Sequence, residues 1–193
     1  MQRAFSWSVF VVVMTWTVSA HSQSIQNRNY PFTGTSVCLV AAGGFNAKLQ
    51  ALGNTFSTSS SILGIQTFHG DGTGTVTAQE VAITVPPTMG FLPSAASDTI
   101  SYSFVYAIQS NGSFTVDLVP GSFAGTVLMG PRSNQTFTVN LPQLAGFVGV
   151  PSLNPATLIL ASLVPTIETI TYSNNDVEQR ICHRSRVLIQ NVN

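Results

Sequence analysis

Apolar and polar residues alternate with a period of two along most of this chain, and the 3.6-residue period of an amphipathic helix is almost absent. Between Ser113 and Leu118 the alternation puts Phe114, Val116 and Leu118 on one face. It resumes after Pro120-Gly121 through Phe123, Gly125, Val127 and Met129, and after the turn-rich Gly130-Pro131-Arg132-Ser133-Asn134 through Phe137, Val139 and Leu141. This segment predicts three strands joined by short turns, a meander. Upstream, Ile62 to Phe68 and Thr75 to Val85 flank a glycine-rich loop, and Thr99 to Gln109 runs into Ser110-Asn111-Gly112, where Asn-Gly is a strong hairpin signal. Downstream, Thr157 to Ala161 reads as a strand. Thr166 to Tyr172 and Val177 to Gln190 form a terminal hairpin around Ser173-Asn174-Asn175-Asp176. A short strand from Ser36 to Ala41 completes a set of roughly nine or ten. Asn46 to Leu52 hints at a helical turn or two, and Pro86 to Ala96 and Pro142 to Pro155 read as longer loops.

Parity within the strands carries further expectations. From Val76 to Glu80 the apolar side chains occupy even positions, and from Val81 to Val85 odd ones, which predicts a β-bulge or a change of buried face near Gln79-Glu80. If the terminal hairpin closes around Ser173 to Asp176, Thr171 opposes Glu178 and Thr169 opposes Arg180, leaving Glu168 diagonal to Arg180. Arg180, Cys182, Arg184 and Arg186 share one parity in the run "RICHRSR". Such a face reads as a solvated basic edge that discourages strand pairing, or as a patch for acidic glycans or anionic lipid headgroups.

Composition narrows the class. Charged residues are only 7% of the chain while hydrophobic residues are 44%, so an ordered, hydroxyl-rich domain is expected instead of a disordered one. Residues 1–20 hold Arg3, an apolar run and Val18-Ser19-Ala20, the layout of a secretory signal cut after Ala20. The run of about 14 residues is too short for a spanning helix, which needs ~20. Without Arg3 the chain has six basic and seven acidic side chains, a formal charge of −1, and so lacks the basic face that nucleic acid requires. Cys38 and Cys182 lie 144 residues apart. In an exported chain they are expected to form a disulfide joining the first strand to the last.

Catalytic motifs are few. The loop "FHGDGTGTVT" has G-x-G-x-G spacing and leads into a strand, so it lacks the helix N-terminus that a phosphate loop uses, and its one Asp is too few for calcium. It predicts a plain turn with His69 and Asp71 exposed. Neither G-x-S-x-G nor H-E-x-x-H occurs, and His21, His69 and His183 are scattered, so neither a metal site nor a cofactor is expected. Asn111-Gly112-Ser113 and Asn134-Gln135-Thr136 fit the glycosylation acceptor pattern. The remaining candidates sit in strands: Tyr102, Phe104 and Tyr106 on one face, with Glu80, Glu168 and Arg180 in strand-like runs. These carboxylates either face water or point into a lumen, where aromatic surroundings would raise their pKa.

An export signal, "FHGDGTGTVT" between two strands and a terminal Cys strand "RICHRSRVLI" together resemble uncharacterised secreted bacterial proteins of the calycin type. Lipocalins and the allene oxide cyclase barrel are their better-known relatives by architecture. The lipocalin G-x-W hallmark is absent, since both Trp residues, Trp7 and Trp16, precede the expected cut. The resemblance implies an all-β fold, an antiparallel up-and-down barrel of about eight to ten strands, with a β-sandwich as the alternative. An exposed segment over 21–35 is expected to precede a single barrel domain over 36–193. The expected function is to hold a small apolar or amphipathic ligand in the lumen, in the periplasm or outside the cell. Tyr102, Phe104 and Tyr106 would line the site, and Glu80, Glu168 and Arg180 would supply its polar end. The alternatives are an isomerase or cyclase working through Glu80 or Glu168, and a non-catalytic surface protein whose barrel is filled by side chains. No nucleic acid and no stable membrane anchor are expected.

Overall fold

A computed structural model of the chain describes residues 25–86, 93–141, 146–151 and 156–190. The signal segment and its expected cut after Ala20 lie outside the described residues. Eleven antiparallel strands form one sheet: β1 (Arg28–Ala41), β2 (Thr55–Phe68), β3 (Thr73–Val85), β4 (Ser94–Ile108), β5 (Phe114–Leu118), β6 (Phe123–Met129), β7 (Thr136–Asn140), β8 (Phe147–Pro151), β9 (Thr157–Ser162), β10 (Ile167–Tyr172) and β11 (Val177–Ile189). No helix occurs among the described residues. Where a helical turn was expected, residues 46–52 form a loop in which Asn46 Oδ1 accepts from the Lys48 and Gln50 amides and Leu49 takes φ 61°.

The eleven strands make eight staves. β5 and β6 both pair with β4, at Phe104–Ile108 and Ser97–Ser101 respectively, and run in the same direction. Pro120-Gly121, expected to reverse the chain, instead pinches out a turn: Gly121 has φ 75°, the Ser122 amide donates to the Val119 carbonyl, and the Val119 amide donates to the Ser103 carbonyl. Ser122 Oγ also accepts from the Ser103 amide. The chain therefore returns to β4 at the residue it left. The same division separates β7 from β8 and β9 from β10, both halves of the latter pairing with β11. Two closed circuits result, both using β1, β2, β3, β4 and β11. One is completed by β5, β8 and β9, the other by β6, β7 and β10. This is the expected up-and-down barrel, with β8 as an additional strand inside the loop expected over 142–155.

Closure comes at β1 and β11, which pair over ten residues from Phe32↔Leu188 to Ala41↔Gln179. Cys38 stands directly opposite Cys182 and is bonded to it, S–S 2.05 Å. β1 starts at Arg28, well before the expected Ser36, and Tyr30 and Phe32 are buried. Residues 28–35 are thus part of the wall and not an exposed lead-in.

Two parity expectations are corrected. β3 keeps unbroken register with β2 from Phe68↔Gly74 to Ser57↔Val85, so no bulge or face change occurs at Gln79-Glu80. The alternation inverts because the lumen changes character: Glu80, Ala82 and Thr84 face inward while Val81, Ile83 and Val85 are more than half exposed on the outer wall. The irregularity lies one strand over, between Ser97 and Asp98 against β6. "RICHRSR" is likewise not a solvated face. Arg180, Cys182, Arg184 and Arg186 point into the barrel, and Arg186 is only 4% exposed.

One half of the lumen is plugged. Phe68 makes edge-on ring contacts with Tyr30, Phe104, Tyr106 and Phe114 at centroid distances of 5.1–6.0 Å, each such pair worth about 0.5–1.5 kcal/mol beyond its burial. Gly74 and Gly149 admit these rings: a Cβ at either would lie 2.1 Å from the Cζ of Phe104 or Phe114. The glycine-rich β2–β3 turn closes this end as a turn, as expected. Gly72 takes φ 84°, Asp71 Oδ1 accepts from Thr73 N and Oγ1, and Tyr106 donates from its hydroxyl to the His69 carbonyl.

Because the disulfide spans a seam already held by ten paired residues, replacing both Cys38 and Cys182 by Ala should leave the circular-dichroism spectrum unchanged. It should lower unfolding stability by about 2–5 kcal/mol in urea titration.

Candidate functional site

Below the plug the inward residues become small or polar, which opens a cavity of about 610 Å³. Ala82 and Thr84 on β3, Ser94 and Ala96 on β4, and Thr58 on β2 supply the space. Phe56, Ile100, Phe123, Val127, Phe137 and Ile170 give it apolar walls. Its rim is built from the β6–β7 turn with Pro131 and Arg132 and the β10–β11 turn with Asn174 and Asp176.

The charged groups follow from register. Asn175 takes φ 69° in the β10–β11 turn, and the Tyr172 amide donates to the Asp176 carbonyl. This pairs Thr171 with Val177 and sets Glu168 directly opposite Arg180, one residue away from the register expected from the turn sequence. Glu168, 1% exposed, receives Arg180 Nε at 2.9 Å and Arg184 Nη2 at 2.7 Å on Oε2, with Arg184 Nη1 on Oε1. Burial opposes its ionisation, but Arg184 and Arg180 together overcome it and hold the carboxyl at about 2. Both its oxygens are occupied, and it is not among the cavity-lining residues. Glu168 is the counter-charge that lets two guanidinium groups enter the barrel.

Glu80 on β3 stands directly opposite Asp98 on β4, and both line the cavity. Opposed residues on adjacent strands have Cβ atoms about 4.5–5.5 Å apart, so two negative charges here would repel strongly. Burial and the Glu80 charge push the Asp98 carboxyl up to about 7, against a smaller opposing pull from Arg180. Asp98 Oδ1 is buried and accepts no hydrogen bond among the described residues, and Gln135 Oε1 on the same cavity is in the same state. Arg132 is held by Glu178 at 3.2 Å and Asp176 at 3.9 Å, with its Cζ 4.1 Å from the Tyr172 ring centroid. Arg180 is raised, burial being outweighed by Glu168, Glu80 and Glu178.

Of the residues singled out from sequence, Glu80 and Arg180 line this cavity. Tyr102, Phe104 and Tyr106 face inward as one stripe but are packed at 4%, 0% and 8% exposure on the plugged side of the barrel, away from the cavity. The Tyr102 hydroxyl accepts from Arg186 Nη1, and the Arg186 guanidinium lies 4.7 Å from the rings of Phe32 and Phe147. Sequence reasoning missed Asp98, Glu178 and Arg132. Asp98 shares parity with Tyr102, two steps along the stripe past Ile100, and Glu178 is one step from Arg180, so extending the stripes would have found both, whereas Arg132 lies in a turn that no stripe reaches.

Glu168→Gln leaves two buried guanidinium groups under-compensated and should cost about 3–5 kcal/mol by urea denaturation at pH 7. Asp98 binds a proton more tightly folded than unfolded, where its value is 3.8, so it lowers stability as pH rises from about 4 to about 7. Asp98→Asn should therefore raise the melting temperature at pH 8 and leave it nearly unchanged at pH 4, read by scanning calorimetry across that range.

Comparisons with protein-family models, with curated proteins and with solved structures found no match for this chain.

Proposed function

We propose that this protein is a binding module that holds one small amphipathic molecule in the open half of its barrel. The observation that carries the reading is the cavity of about 610 Å³, within the ~300–1,000 Å³ of ordinary ligand pockets. Apolar walls and a few convergent polar groups line it. The amphipathic member of the expected pair fits better than a wholly apolar one, because Glu80, Asp98 and Arg180 would lose hydration against a hydrocarbon with nothing in return. The calycin resemblance points to the same use of a barrel lumen, although fold alone does not confer function.

A second reading, an isomerase or cyclase, draws on Asp98. A carboxyl that changes protonation near pH 7 beside an ionised neighbour can donate or accept a proton at a bound ligand. Glu168, one of the two candidates expected for this role, is tied up by Arg180 and Arg184; Asp98 takes its place in the proposal. We read the working compartment as the periplasm or the cell exterior, with which the Cys38–Cys182 bond is compatible.

Native mass spectrometry of protein purified from its own periplasm or medium should show a retained small molecule as added mass. The neutral, mostly apolar probe N-phenyl-1-naphthylamine should gain fluorescence on binding, and Ala82→Phe, which fills the cavity, should weaken it at least tenfold with the fold intact. Equal affinity in the filled variant would overturn the reading, and chemical change of the retained molecule would favour the enzyme.

A further inference from the structure

The charges around the cavity are unequal in number and in commitment. Four carboxylates line it, Glu80, Asp98, Asp176 and Glu178, against two guanidinium groups, Arg132 and Arg180. Both guanidinium groups are engaged: Arg132 by Glu178 and Asp176, and Arg180 by the buried Glu168. No ion pair engages Glu80 or Asp98 among the described residues. Three strands carry the groups that act on Asp98. Glu80 faces it from β3, while β6, its neighbour on the other side, offers only Phe123, Gly125 and Val127 inward. Arg180 on β11 and Tyr172 on β10 also interact with it electrostatically. Among the described residues the wall therefore offers acceptors with negative charge and no guanidinium outside an ion pair, while Asp98 Oδ1 and Gln135 Oε1 are buried acceptors without a donor. Two opposed carboxylates in a half-buried wall repel, and a proton on one of them relieves that repulsion.

Resting on the reading of the cavity as a binding site, we propose that its ligand is a small organic cation, a primary or secondary amine bearing an apolar group. Its ammonium sits between the Glu80 and Asp98 carboxylates, and its apolar group lies against Phe56, Phe123 and Phe137. An ammonium supplies the donors that these oxygens lack and takes over the role of the proton that the pair carries, so binding expels that proton. An anionic ligand meets Glu80, while both cavity guanidinium groups are already paired with carboxylates. A neutral hydroxyl satisfies one acceptor and leaves the charge of the pair uncompensated.

The test compares 4-phenylbutylamine, 4-phenylbutanol and 4-phenylbutyrate, which share one apolar body and differ in head group, by titration calorimetry on the disulfide-bonded protein. At pH 7 the amine should bind at least tenfold tighter than the alcohol, and the acid weakest. Repeating the amine titration in phosphate and in Tris, whose ionisation enthalpies differ, should reveal release of a fraction of a proton at pH 7, shrinking toward zero by pH 9. Asp98→Asn should bring the amine to within about threefold of the alcohol and abolish the buffer dependence, and Glu80→Gln should narrow the same gap and reduce the proton release, with an unchanged circular-dichroism spectrum as the sign that the barrel is intact. Equal binding of amine and alcohol, or tightest binding of the acid, would overturn the cation assignment while leaving the cavity a binding site. Failure of all three at millimolar concentration would instead overturn the reading on which it rests.

Discussion

Closing the sheet constrains everything else in this molecule. When β1 pairs with β11 over ten residues and Cys38 meets Cys182, each strand residue is committed to one of two environments by its parity alone. Away from the barrel ends there is no edge at which a charged side chain on the inner parity can escape to water. Arg180, Arg184 and Arg186 are enclosed because they share parity with Cys182. Each is answered in a different way: Arg180 and Arg184 by Glu168, and Arg186 by the Tyr102 hydroxyl and the faces of Phe32 and Phe147. The buried polar framework is thus a consequence of closure. On the outward parity of the described strands, Asp117 is the one Asp, Glu, Lys or Arg.

Interrupting three staves turns one closed sheet into two functionally different halves. Above the interruption the inward residues are mostly aromatic and aliphatic and leave no space comparable to the cavity. Below it Ala, Ser, Thr and carboxylates alternate with apolar walls, and a cavity remains. The polar knot of Glu168 with its two guanidinium groups lies at this boundary, opposite Ser162 Oγ, which accepts from the Arg184 amide at 2.8 Å. The apolar plug supplies most of the cohesive burial, by about 1.5–3 kcal/mol per fully buried large side chain. That surplus lets the other half carry Asp98 opposite Glu80, an arrangement that lowers stability near neutral pH.

Much of this was legible in the chain. Period-two alternation identified the strand-rich fold, Asn111-Gly112 and the Gly70–Gly74 loop identified turns, and the cysteine pair identified the closing strands. What could not be read was which side of a strand faces in, once the lumen stops being apolar. Val81, Ile83 and Val85 carry the stronger hydrophobic signal on β3, and the interior has Glu80, Ala82 and Thr84 instead, so apolarity pointed the wrong way. The same inversion hid the arginines, which read as a solvated face until the parity of Cys182 is taken into account. Pro120-Gly121 illustrates another limit: a turn sequence fixes local dihedrals but not whether the chain reverses or rejoins its own stave. That decision rests on Ser103, which bonds to both ends of the excursion. The left-handed Asn175 then moves one hairpin by a single residue, enough to convert a diagonal Glu168–Arg180 relation into a direct one.

The two circuits share five continuous strands but complete themselves with different short ones. A change of side chain or loop length in β6, β7 or β10 would disturb only the ring that encloses the cavity. The ring through β5, β8 and β9, with its aromatic filling, would still close. Such a molecule can alter what its mouth accepts without renegotiating its foundation, as a socket can be refitted on an unchanged shaft.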